Sequence, residues 1–196
     1  MDTPRYKTRT VTLDGCPIVV YDGTAFQVLI AEQDVRKCIQ EMARELAATS
    51  GEVPPVVVGV LNGGVYVAVT ISESLAIPHQ IGFVGVSSYG NLRTPEHDPS
   101  VTNDLSCSVK GKDVVLVEDI IETGRTLRFA VEYLKLKGAT RVRVVCLLEK
   151  DIPGEPRVIQ PDIVGFSVPS SAFVVGWGLD HKGFFRNMPF IGVTVE

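Results

Sequence analysis

Glu118 and Asp119 stand side by side at the end of an all-apolar run, Val114-Val115-Leu116-Val117, and Ile120-Ile121-Glu122-Thr123-Gly124-Arg125-Thr126-Leu127 follows. Two neighbouring carboxylates can accept hydrogen bonds from adjacent sugar hydroxyls, and their charge suits a sugar carbon that turns cationic. The turn behind them opens a helix. Free N–H groups in Thr123-Gly124-Arg125-Thr126 attract a phosphate, Gly124 lets the backbone approach closely, and the two threonines add hydroxyl donors. An acid pair alone is usually a solvated strand end, and Thr-Gly-x-Thr alone is a common turn. Together, after an apolar strand and before a helix, they describe a site for a ribose 5-phosphate. The chain holds no Gly-x-x-x-x-Gly-Lys-[Ser/Thr], and no Gly-x-Gly-x-x-Gly follows a strand, so both common nucleotide loops fail on pattern.

The elements that must position these residues follow from hydrophobic spacing. Val35, Cys38, Ile39, Met42, Leu46 and Ala47 recur at helical intervals between Glu32 and Ser50, with Gly51 as a stop. Pro55 to Leu61 is a Val-rich run of strand length, and Asn62-Gly63-Gly64 then leads into a helix over Val65 to Leu75. The same grammar predicts strands at His79–Ser87, Val114–Val117 and Arg141–Leu148 and a helix at Thr126–Lys137. Alternating strands and helices imply right-handed crossovers and an α/β fold with a mainly parallel central sheet flanked by helices. Ligands of such sheets sit beyond the carboxyl ends of the strands, which is where the motifs fall. Residues 88–108 lack periodicity and are expected to form a flexible lid. The tail carries short strand-like runs at Ile163–Val168, Ala172–Trp177 and Phe190–Val195, expected to build a small hood lobe with the N-terminal strands. One domain over 1–196 is expected, with its core at about 32–160 and its hood at about 161–196.

Composition narrows the ligand. A net charge of −4 with pI near 5.4 argues against a broad phosphate-neutralising face, so nucleic acid is not expected as a partner. The 45% hydrophobic content of 196 residues suffices for a core without cross-links. Cys16, Cys38, Cys107 and Cys146 lack ligand spacing and read as reduced thiols, and His79, His97 and His181 form no metal pattern. No apolar run reaches membrane-span length, and the N-terminus lacks the apolar stretch of a signal peptide, so a cytoplasmic enzyme with no membrane partner is expected.

The stretch Val117-Glu118-Asp119-Ile120-Ile121-Glu122-Thr123-Gly124-Arg125-Thr126 resembles the signature with which type I phosphoribosyltransferases bind 5-phosphoribosyl-1-pyrophosphate (PRPP), in the wording of their hypoxanthine-guanine branch. Leu61-Asn62-Gly63-Gly64 resembles that branch's pyrophosphate loop, Ser87-Ser88-Tyr89-Gly90 its lid and Leu147-Leu148-Glu149-Lys150 the end of its purine-reading strand. Phe173-Val174-Val175-Gly176-Trp177-Gly178-Leu179-Asp180 and Phe184-Phe185-Arg186 resemble its hood. The match runs from about Pro55 to Arg186, with the motifs in family order.

The resemblance implies a purine salvage transferase that makes IMP or GMP, nucleoside monophosphates, from hypoxanthine or guanine and PRPP. It also implies Mg²⁺ and a homodimer or homotetramer. Thr123, Gly124, Arg125 and Thr126 would hold the 5-phosphate, Glu118 and Asp119 the ribose hydroxyls, and Asn62, Gly63 and Arg186 the pyrophosphate. Lys150 would donate to the purine O6, Val174 would line the purine site and Trp177 would stack on the base. Asp180, beside the purine site, would coordinate Mg²⁺ with Glu118 and Asp119 as further candidate ligands, and Ser88 and Tyr89 would close over the reacting centre.

Glu122 stands where the family has an aspartate that receives the purine N7 proton. Either the loop sets back and the enzyme works normally, or the base is misplaced and turnover is weak. Asn62 departs from relatives that carry lysine there, which removes one positive charge. Each role has a plainer counterpart: a turn for Asn62-Gly63-Gly64, surface cations for Lys150 and Arg186, core packing for Trp177 and loop capping for Asp180. Two rival functions are a catalytically weak PRPP-binding regulatory protein and a transferase preferring xanthine or another base. A lysine donor at the 6-position disfavours adenine, which presents an amino group there.

Overall fold

A computed structural model describes residues 9–10, 17–21, 23–87 and 99–195. The hydrogen-bonding pattern of its strands divides them into two sheets. The larger contains β1 (Arg9–Thr10), β4 (Val56–Leu61), β5 (Gln80–Ser87), β6 (Ser100–Asn103), β7 (Asp113–Ile121), β8 (Arg141–Glu149) and β9 (Ile163–Ser167), in the order β1-β9-β8-β7-β4-β5-β6. All neighbours are parallel except β5 and β6. The smaller sheet is antiparallel, ordered β10 (Val174–Val175), β11 (Ile191–Thr194), β3 (Thr24–Ile30) and β2 (Ile18–Tyr21).

Period-2 alternation along the central strands sorts side chains between two layers. Val57, Val115, Val117, Val145 and Leu147 pack with helices α1 (Glu32–Ala48) and α2 (Gly64–Ser74). Val56, Val58, Val114, Leu116, Val144 and Cys146 pack on the other face with Leu127, Ala130, Val131 and Leu134 of α3 (Arg125–Leu136). Burial on both faces explains why these strands read as continuous apolar runs. Each such side chain taken from water contributes roughly 1.5–3 kcal/mol.

The order of the large sheet creates the site. From β4 the chain moves outward to β5 and β6, then returns to lay β7 on the other side of β4 and continues to β8 and β9. The connections therefore leave the carboxyl ends of β4 and β7 in opposite directions, and in such sheets the ligand crevice lies at that switch point. Asn62 and Gly63 follow β4, while Glu118 to Thr123 close β7 and its turn.

Three boundaries differ from the sequence reading. β7 runs through Glu118 and Asp119 to Ile121, because pairing with β8 persists to Ile121↔Glu149 and carries the acids into the sheet. Residues 100–103, expected within the lid, form β6 against β5; Ser88 and Tyr89 lie outside the described residues. Ile163–Val168 was expected in the hood, yet β9 pairs parallel with β8 and extends the large sheet. Its Ile163, Val164 and Phe166 are buried there, an environment the short run does not reveal by itself.

Helix α1 places Glu32 and Asp34 in its first turn and no base in its last. A base arrives instead from β8. Arg143, buried, donates through Nη1 to the Leu46 carbonyl (3.3 Å) and Thr49 Oγ1 (2.7 Å), and through Nη2 to Ser50 Oγ (3.0 Å). A cation at a helix C-terminus is favourable, and this one welds α1 to the sheet. Arg143→Ala removes those bonds and leaves a void, so urea unfolding should show a loss of about 2–4 kcal/mol.

Candidate active site

Glu118 and Asp119 are each only 9% exposed, and no lysine or arginine forms an ion pair with either among the described residues. The Asp119 N–H donates to Glu118 Oε1 (3.1 Å), and the Ile120 N–H to Asp119 Oδ1 (2.7 Å). Burial pushes the Glu118 carboxyl well above the usual range, and the charge of Asp119 adds to it. Burial also raises Asp119, while its hydrogen bonds with Glu118 and Ile120 and the nearby Arg186 charge pull it back. The pair is therefore short of hydrogen-bond donors, which a ligand bearing a diol would supply.

Beside it lies the turn after β4. The Leu61–Asn62 peptide is cis. Gly63, the N-cap of α2, sits so close to Asp119 that a Cβ would overlap the carboxylate. Gly178, at φ +101°, passes over the Gly63 carbonyl just as closely. Only residues without side chains allow these three segments to meet. The Asn62 side chain is exposed at the rim. On the hood side, Arg186 pairs with Asp180 Oδ1 (2.6 Å) and donates to the Gly178 carbonyl (2.5 Å). The second Asp180 oxygen accepts from the Gly183 N–H (2.6 Å).

Behind the acids, Gly124 (φ +77°) is the N-cap of α3, and no side chain caps that helix, so its first N–H groups remain available to an anion. Thr123 and Thr126 are half-buried there, and Arg125 is exposed, 3.8 Å from Glu155. Glu122 points out of the turn and forms an ion pair with Lys150 Nζ at 2.6 Å. Lys150 also reaches the Ala172 carbonyl (3.4 Å). A proton acceptor and a fixed cation thus share one edge of the site.

Two expectations about the hood change. Trp177 is 4% exposed, belongs to the main core, and has the Arg36 guanidinium 5.1 Å from its ring centre. Buried in that core, its ring offers no face to a base. Val174 is likewise packed inward, which leaves only its main chain for a ligand. Phe173, by contrast, faces outward, as does Phe184. Phe173 is 54% exposed, adjoins Ala172 at the end of the Lys150 side chain, and meets His181 edge-on at 5.3 Å. The in-out alternation Ala172, Phe173, Val174 could have identified it. No group of three His, Cys, Asp or Glu residues is arranged to hold an ion among the described residues, so Glu118, Asp119 and Asp180 form no protein-only cage.

The strand order, with the acid pair and the uncapped start of α3 at its switch point, is that of the type I phosphoribosyltransferase fold. The phosphoribosyl transferase domain family matches residues 27–182. A hypoxanthine phosphoribosyltransferase from Staphylococcus aureus superposes with a TM-score of 0.78 at 32% identity, over 86% of this chain and 91% of that one. The hypoxanthine-guanine phosphoribosyltransferase of Bacillus subtilis is 37% identical over 167 residues, 85% of this chain and 92% of that protein. The bifunctional protein TilS/HprT of Listeria innocua is 40% identical over the same share of this chain, which spans only 26% of that longer protein. The chain belongs to the hypoxanthine-guanine phosphoribosyltransferase family.

The buried acid pair makes a prediction about pH. A carboxyl with a raised folded pKa contributes its full share of stability below the usual carboxylate range and loses it as pH rises through the folded value. In the ligand-free protein, Glu118→Gln removes that loss. Its melting temperature at pH 8 should exceed the parent's by about 2–4 °C, equivalent to about 1 kcal/mol for this size, while PRPP binding weakens. Calorimetry with and without PRPP checks both signs.

Proposed function

We propose that the chain transfers the phosphoribosyl group of PRPP to a 6-oxopurine, hypoxanthine or guanine, releasing pyrophosphate and the nucleoside monophosphate. The observation that carries this reading is the Lys150–Glu122 ion pair beside the exposed Phe173. A 6-oxopurine presents an acceptor, O6, next to a proton-bearing N7. Such an edge can enter the pair with O6 accepting from Lys150 and N7 donating to Glu122, exchanging one ion pair for two hydrogen bonds. Phe173 would cover the ring face.

The sugar-phosphate would lie along the crevice, its 5-phosphate on the N–H groups and hydroxyls of Thr123 to Thr126 and its ribose hydroxyls on Glu118 and Asp119. The pyrophosphate would take the Asn62-Gly63 main chain and Arg186, which first exchanges Asp180 for the anion. In the reaction the purine N9 forms the bond to C1 as the bond from C1 to the pyrophosphate oxygen breaks, and the N7 proton passes to Glu122. The two acids face the positive charge that grows on the sugar.

The donor set fits Mg²⁺. Glu118, Asp119 and Asp180 offer hard carboxylate oxygens but too few for a protein-only site, so the ion would be held jointly with pyrophosphate oxygens and water. When bound, it would neutralise charge on the departing pyrophosphate.

Glutamate at position 122 reaches Lys150, so its extra methylene keeps the carboxylate at the edge where the proton must be received. In a spectrophotometric assay with PRPP and Mg²⁺, nucleotide should form from hypoxanthine or guanine. Glu122→Gln should lower kcat by about 10²–10⁴-fold, whereas Glu122→Asp stays within about tenfold of the parent. No product from any 6-oxopurine would defeat the reading, and a large gain in Glu122→Asp would show the acceptor to be misplaced.

A further inference from the structure

Lys150 and Glu122 come from different segments, one following β8 and one following β7, and a donor–acceptor edge works only if their separation is held. Where the β7–β8 ladder ends at Ile121 and Glu149, the Lys150 N–H donates to the Ile121 carbonyl, 2.9 Å. A second connection comes from outside both strands. The Arg157 side chain is 8% exposed. Its Nε donates to the carbonyl oxygen of Glu122 (3.2 Å), its Nη1 to Glu149 Oε2 (2.8 Å) and its Nη2 to Asp151 Oδ1 (2.6 Å). Glu149 and Asp151 are the residues on either side of Lys150 in the chain. One rigid guanidinium therefore bonds the backbone beneath the proton acceptor and both neighbours of the purine-reading cation.

The rest of the same segment braces the phosphate turn from behind. The Val158 N–H donates to the Thr123 carbonyl (2.9 Å), and Ile159 lies where a Cβ on Gly124 would meet its side chain at 2.8 Å. Asp151 itself is almost fully exposed, so Arg157 is buried by its packing and its bonds, not by sequestration of the whole cluster. Arginine suits this role, because its planar fork holds three directions at once, whereas lysine is a point charge.

We propose that Arg157 is a positioning residue for purine recognition, fixing the spacing between Glu122 and Lys150 without touching either substrate. The inference rests on the function proposed above. It also uses a groove of ≈ 650 Å³ at the outer side of the guanidinium, lined by Glu149, Asp151, Glu155 and Arg157 among others. Through that groove a small cation in solution can reach the vacated position.

The test is steady-state kinetics on the full chain, varying hypoxanthine and PRPP separately, for the parent, Arg157→Lys, Arg157→Ala and the surface variant Asp151→Ala. Loss of the charge-assisted bonds in Arg157→Ala should raise the hypoxanthine KM by about tenfold or more and lower kcat, with the PRPP KM within about threefold. Arg157→Lys should recover only part of this, and millimolar guanidinium chloride should restore activity to Arg157→Ala but not stimulate the parent. Asp151→Ala, which removes one arm at an exposed position, should shift the hypoxanthine KM in the same direction by about threefold even if Arg157→Ala does not fold. A parent that forms nucleotide while these variants change both KM values equally, or change only thermal stability, would overturn the positioning role alone. A parent inactive with every 6-oxopurine would overturn the function and this role together.

Discussion

A pair of acids buried in a protein interior without a counter-cation is costly, and the site is arranged around that cost. Glu118 and Asp119 share a hydrogen bond through the backbone, accept one N–H each, and hold their carboxyl groups above the normal range because water has been excluded. The unliganded protein therefore keeps a local deficit of donors at the end of β7. A sugar diol, or a cation carried in on its phosphates, would relieve that deficit on binding. Binding energy and folding stability are thus coupled at one spot.

The deficit is useful only because of what surrounds it. Gly63 lets the turn after β4 lie against Asp119, and Gly178 lets the hood lie against Gly63, with no side chain between them. The edge of the crevice is then completed by groups that are already paired, Lys150 with Glu122 and Arg186 with Asp180. Each pair presents, before any ligand arrives, the charge that a ligand group would replace. Such preorganisation lowers the ordering cost of binding, and it selects ligands able to satisfy both members of a pair at once.

The strand-turn-helix around Asp119 was readable because its chemistry and its local structure are contiguous in the chain. Glu118 to Thr126 sit on one strand end and one helix start, so residue type and spacing alone say what they can bind. The helices were readable for a similar reason, since a 3.6-residue apolar period survives into the fold over 32–48 and 125–136. The pairing of β9 with β8 was not readable. A five-residue apolar run is compatible with either sheet, and register with β8 decides between them. Trp177 was misread because an aromatic beside an exposed motif invites a stacking role, while packing in the fold places its ring in the core.

By itself the sequence determined that a parallel α/β sheet would carry an acid pair and a glycine turn opening a helix at a strand end, because those features are set by neighbours within about a dozen residues. Tertiary structure alone decided which groups would face one another across that end. Glu122 meeting Lys150 and Arg157 spanning both of their segments depend on strand order and main-chain direction. Those are properties of how distant segments pack, and no local pattern encodes them.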